Sequence, residues 1–168
     1  NLLGVDVKDD QVADCNQFFK ASGRNNAKFE VGDLTVFKKE NTYDLVLCVD
    51  VMEHILEDVD VLKNFNASLK PGGMLLISTP SDQGGSDAHD DDDSSFIEEH
   101  VRNGYGMQEM KDKLKMAGFE KCELLYSYGK SGQISWRLSM SIPMRMLNFS
   151  KVFFIILPVY YLIVMPFA

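Results

Sequence analysis

Three aspartates stand where short apolar runs give out. Asp6 ends Leu2-Leu3-Gly4-Val5, Asp33 follows Gly32 after Lys28 to Val31, and Asp50 closes the run from Tyr43. A carboxylate at the end of a parallel strand can accept two hydrogen bonds from ribose hydroxyls, which suits Asp6. Asp33 can accept from an exocyclic adenine amine, with Leu34 covering the ring. Each has a plainer use: a helix cap ahead of Gln11 for Asp6, and a turn aspartate for Asp33. Val49, Asp50 and Val51 lead into Met52-Glu53-His54, where a Glu-His pair is a candidate for proton transfer or an ordinary exposed pair at a helix start. Asp87, His89 and Asp90 to Asp93 offer oxygens to a hard cation, but a solvated acidic loop is the simpler reading, and no metal is expected. Cys15, Cys48 and Cys122 lie too far apart for a zinc site and fit a reduced, cytoplasmic compartment.

The elements that would position these residues follow from periodicity. Leu2 to Val7 reads as a buried parallel strand. A helix carries Val12, Cys15 and Phe19 on one side and stops at Gly23. Lys28 to Val31 and Tyr43 to Asp50 are the second and third strands. Ile55, Val59, Leu62, Phe65 and Leu69 mark a helical face that ends at the breaker Lys70-Pro71-Gly72-Gly73. Met74 to Thr79 is a fourth strand. Gln83 to Ser95 is a polar loop without periodicity. Met107, Met110, Leu114 and Ala117 predict a helix stopped by Gly118, and Phe119 to Tyr128 a fifth strand. Strands alternating with helices argue an α/β fold with a doubly wound, mostly parallel sheet.

The chain has 168 residues, 45% hydrophobic and 25% charged, enough for one domain with a core of its own. A net charge of −8, with 25 acidic against 17 basic residues, argues against nucleic acid as a partner, which would need clustered Lys and Arg. Beyond residue 130 the chain becomes apolar and helical. The expected division is therefore 1–130 as the α/β domain and 131–168 as an apolar cap or membrane-interfacial segment. Val152 to Ala168 is apolar but broken by Pro158 and Pro166, and short of the roughly 20 residues of a spanning helix. It reads as a cap over a substrate pocket, an interfacial element in peripheral contact with a membrane, or part of a spanning segment.

In order and spacing, residues 2 to about 128 resemble the class I S-adenosylmethionine-dependent methyltransferases, in the broad group that includes the ubiquinone and menaquinone C-methyltransferases. The matching segments are Gly4-Val5-Asp6, Val31-Gly32-Asp33-Leu34, Tyr43 through Met52-Glu53-His54, Leu69-Lys70-Pro71-Gly72-Gly73 through Thr79-Pro80, and Lys113 to Phe119. The resemblance implies a Rossmann-like fold and S-adenosyl-L-methionine as cofactor. It implies that Asp6 holds the ribose with Val7 against the adenine, and that Asp33 and Leu34 read the adenine edge and face. Val49 and Asp50 would lie near the methionine portion, and His54 would border the transfer site. Glu98 to Arg102 is similar to the family's approach to the substrate, so His100 and Arg102 are candidates for positioning it.

The family also carries a Gly-x-Gly-x-Gly loop after its first strand, which in a nucleotide fold lies about 20 residues before the ribose acid. Only five residues precede Asp6 here. The expectation is a chain cut at its N-terminus, and at its C-terminus too, since the family's last strand is not visible. The function expected is methyl transfer to a small, lipophilic acceptor, with His54 or His100 as a general base where the acceptor needs one. The alternative is a non-catalytic, membrane-associated interaction module that has lost cofactor binding. A nicotinamide-dependent oxidoreductase shares the ribose acid but accounts less well for the later motifs.

Overall fold

The computed structural model describes residues 1–83, 101–102, 104–127 and 129–165. Leu2–Asp6 forms β1 and Ala27–Val31 forms β2, joined by the helix α1, Asp9–Ala21. The two strands run parallel, Gly4 opposite Phe29 and Asp6 opposite Val31. Gly4 is required by close approach: a Cβ there would lie 2.3 Å from the Phe29 ring. Asp9 and Asp10 in the first turn of α1 and Lys20 in the last suit the helix dipole. Gly23 beyond its end adopts φ 69°.

Tyr43–Val49 forms β3 and Leu69–Ser78 forms β4, again parallel, joined by a 3-10 turn at Met52–His54 and by α2, Asp58–Ser68. Side chains alternate along β3. Val46 and Cys48 face α2, while Leu45, Leu47 and Val49 face outward beside Met74 and Leu76 of β4. Val61, Leu62 and Phe65, spaced for one helical face, are buried with Met52 and meet Tyr105, Met110 and Ala117. Met110 belongs to α3, Met107–Met116, which ends at Gly118 with φ 95°. Full burial of one such side chain contributes roughly 1.5–3 kcal/mol, so this cluster is the main source of stability among the described residues.

The parallel α/β pattern is present, but β1 and β2 form one two-stranded sheet and β3 and β4 another. The halves are tied through the segment after β2. Asn64 on α2 donates to the carbonyls of Leu34 and Thr35 at 2.9 and 2.8 Å, and Ser68 Oγ accepts from Lys39 N at 3.0 Å. The backbone amides of Asn41 and Thr42 reach the carbonyls of Ala67 and Ser68.

Three local expectations differ. β4 starts at Leu69, five residues early: Tyr43 pairs with Leu69, and an irregularity before the Leu45–Met74 pair absorbs Lys70 to Gly73. Pro71 and Gly72 therefore bend the strand rather than separate it from α2. Ile55 lies outside α2, in extended conformation, yet still packs on the core. Residues 119–127 form no strand. Phe119 and Leu124 pack on the core, but the segment forms no ladder with another strand, and hydrogen-bonded pairing is what a strand requires.

Beyond them, α4 (Lys130–Trp136) runs through a π turn at Arg137–Ser141 into α5 (Ile142–Phe149). After a turn comes α6, Phe153–Val164. Tyr160 and Tyr161 donate from their hydroxyls to the carbonyls of Leu138 and Ser139, at 2.6 and 2.8 Å, fastening α6 to the π turn. Among the described residues no helix is long and apolar enough to cross a membrane.

Candidate functional site

The carboxyl ends of the strands carry the predicted site residues. Asp6 is the last residue of β1, and its carbonyl accepts from Gly32 N at 2.9 Å, so the ends of β1 and β2 are locked side by side. The side chain of Asp6 accepts through Oδ1 from Lys8 N at 2.8 Å. That bond shapes the entry to α1 without capping it, because the helix's N-cap is Lys8 and has no side-chain bond. Among the described residues no donor reaches Oδ2, which stays available to a hydroxyl. Val7 follows, 64% exposed.

Asp33 makes a compact turn in which Oδ1 accepts from the amide and the hydroxyl of Thr35, at 2.8 and 2.7 Å. The hydroxyl bond, then the amide bond, hold its carboxyl below the usual aspartate value. The turn reading is therefore real, and it leaves Oδ2 unengaged among the described residues. Leu34 is half-buried and packs on the core cluster while its carbonyl is held by Asn64, so its position is fixed from both sides.

The end of β3 is the strained point. Asp50 has φ 50°, a left-handed conformation uncommon for a residue with a side chain, and its amide is held by Ser78 O at 2.9 Å. This turn swings the chain out of β3 into the 3-10 turn, leaving Val49 and Asp50 exposed. Met52 and Glu53 are buried and His54 is half-buried. Glu53 accepts from the Thr79 hydroxyl at 3.1 Å and its carbonyl from Val101 N, so it joins the ends of β3 and β4 to the returning chain. Its burial suits that joint better than proton transfer, leaving half-buried His54 as the more accessible member of the pair. Burial pushes the neighbouring Cys48 thiol up to about 12, with the charges of Glu53 and Asp50 adding to the effect. His100 and the acidic run Asp87 to Asp93 lie outside the described residues.

Sequence reasoning missed the polar hub beneath this turn. Asp58 Oδ2 receives Arg102 Nη1 at 2.6 Å, the Tyr105 hydroxyl at 2.8 Å and Lys113 Nζ at 2.5 Å. Tyr105 OH also lies 3.0 Å from Met52 O, and Arg102 Nη2 donates to Ile55 O at 2.6 Å. Burial alone would raise the Asp58 carboxyl, but the bonds from Lys113 and Tyr105 and the charges of Arg102 and Lys113 outweigh it and hold it below the usual range. Both Nη atoms of Arg102 are thus engaged, tying this residue to α2 and to the chain that follows the 3-10 turn, while its Nε is buried with no partner among the described residues. Partners 44 to 55 residues away in the chain left no local signal.

The chain is similar to known methyltransferases. A phosphoethanolamine N-methyltransferase from Triticum aestivum is 32% identical over 124 residues, covering 71% of this chain and 24% of the relative. A ubiquinone biosynthesis O-methyltransferase from Coxiella burnetii is 27% identical over 79 residues, covering 46% of this chain and 33% of the relative. The chain thus spans about a quarter to a third of the length of these curated relatives. Among solved structures, a phosphoethanolamine N-methyltransferase 2 from Haemonchus contortus superposes on 90% of this chain and 35% of its own, with a TM-score of 0.67 at 18% identity, a likeness of fold. A family model described as a methyltransferase domain spans residues 1–132, most of the chain and all of the strand-end acids. The chain belongs to the class I, S-adenosylmethionine-dependent methyltransferase family.

Proposed function

We propose that the protein transfers a methyl group from S-adenosylmethionine to a small, lipophilic acceptor. The observation that carries this is the succession of carboxylates at the ends of parallel strands, Asp6, Asp33 and Asp50, two of which keep an oxygen free of partners among the described residues. That is the acceptor set a nucleoside needs: carboxylate oxygens for ribose hydroxyls and for an adenine amine, beside apolar side chains for the ring. Asp6 holds the ribose and Val7 lies against the adenine. Asp33 accepts from the adenine amine and Leu34 covers the ring. Val49 and Asp50 border the methionine portion.

When bound, S-adenosylmethionine supplies an electrophilic methyl group on a sulfonium centre. The chain's own contribution is proximity and orientation, which can lower a barrier by several kcal/mol without a reacting side chain. Where the acceptor must lose a proton, His54 or His100 takes it. The relatives' names point to two acceptor chemistries, an amine and an oxygen. Peripheral contact of residues 152–168 with a membrane belongs to the same reading, as the place where a lipophilic acceptor is met.

Transfer of labelled methyl from S-adenosylmethionine to an amine acceptor and to a phenolic quinone precursor, assayed separately, tests the reading. Label in one product, lost in Asp6→Ala, supports it. Cofactor binding with no label in either class would contradict the activity, and absence of cofactor binding would favour a non-catalytic interaction module.

A further inference from the structure

The helical segment α4–α6 differs in charge from everything before it. Beyond Glu123 the chain has four basic residues, Lys130, Arg137, Arg145 and Lys151, and no acidic one, so the net charge of −8 divides into −12 up to residue 123 and +4 after it. All four basic residues are exposed. The same segment exposes apolar side chains at high density.

α6 shows why. Phe153, Leu157, Tyr160, Tyr161 and Val164 share one face, which is buried or half-buried and pinned by the two tyrosine hydroxyls. The outward side carries Phe154, Ile155, Val159, Leu162 and Ile163, with Ile155 78% and Leu162 79% exposed. A helix on a water-facing surface would put polar groups there. Phe149, at the end of α5, is 86% exposed, its ring centroid 6.4 Å from that of Phe153. Apolar exposure along one side of a helix suits a docking surface. α6 as described is twelve residues long, Phe153–Val164.

We propose that α5 and α6 form a membrane-docking face for anionic lipid, with the outward apolar side of α6 entering the headgroup boundary and the basic residues meeting acidic headgroups. Charge complementarity selects this occupant. An apolar side chain set would serve any greasy partner, but an acid-free, basic segment on an otherwise acidic chain fits a negative lipid surface. A second copy of this chain would bring its own acid-free, basic segment against this one. The inference deepens the peripheral contact proposed above and names its lipid. It needs no cofactor, so its failure and the failure of methyl transfer are separable.

The test is co-sedimentation of the protein with vesicles of phosphatidylcholine alone and of equal parts phosphatidylcholine and phosphatidylserine. The emission of Trp136, the only tryptophan and an exposed residue of α4, is read in parallel. Binding at least about tenfold tighter to the mixed vesicles, weakened by salt and accompanied by a blue shift, supports the proposal. Ile155→Asp with Leu162→Asp should abolish it at unchanged circular dichroism. Lys151→Glu, which touches no packed face, should weaken binding to mixed vesicles about fivefold or more while sparing the fold. Equal or absent binding to the two vesicle types would overturn it. So would binding that survives both substitution sets, or self-association that the Ile155 and Leu162 changes abolish without any vesicle binding.

Discussion

Asp58 shows how much can rest on one carboxylate oxygen. Three donors converge on it, and its side chain is only 4% exposed. Removing one member of a buried ionic cluster strands the others, at about 3–5 kcal/mol. Asp58→Ala should therefore lose that much in urea unfolding, and Tyr105→Phe about 1 kcal/mol for one hydroxyl. Because the folded carboxyl titrates below its ordinary 3.8, its contribution is fully present above that value and is lost as pH falls through the lower, folded one. The acid side of the stability curve should flatten in Asp58→Ala relative to the unsubstituted protein. Asp50 separates fold from ligand. Its φ of 50° favours glycine, so Asp50→Gly should keep or slightly raise the melting temperature, while Asp50→Val should cost about 1–2 kcal/mol. Under the proposed function both lose cofactor affinity, so the glycine variant is the informative one: stable, and weaker in binding.

At the scale of elements, β1 and β2 depend on a single missing side chain. The Phe29 ring occupies the space a Cβ on Gly4 would need, so Gly4→Ala should destabilise the protein by about 1–3 kcal/mol in urea unfolding. Phe29→Leu in the same chain should recover part of that loss, a coupling that independent sites would not show. Helices α1 and α3 and the first three strands were legible in the sequence because each is short, strongly patterned and closed by Gly or an acid, as at Val12, Cys15 and Phe19 before Gly23. The start of β4 was not, because Pro71 and Gly72 carry the same local signal whether they end an element or bend one. Residues 119–127 have strand-like side chains without a strand alongside, and sequence patterning reports side-chain burial, not the availability of a hydrogen-bonding neighbour.

For the whole molecule, the site was partly legible for a related reason. Asp6, Asp33 and Asp50 sit in register with strand ends, so chain order alone located them. The Asp58 hub is assembled from α2, α3, Arg102 and Tyr105, and only the folded chain brings these together. The hub fixes the turn that follows β3, Asn64 fixes the turn that follows β2, and the shared α2 links the two. Positioning of the site is thus an attribute of α2 and its polar contacts as much as of the strands. The central claim is that the strand-end acids form the adenosine side of a cofactor site. Isothermal titration with S-adenosylhomocysteine, on the protein and on Asp6→Ala, tests it most directly. Saturable heat of binding in the first and a loss of about tenfold or more in affinity in the second, as for a removed hydrogen bond to a charged group, is the predicted result. No heat of binding in either protein, or equal affinity in both, would contradict it.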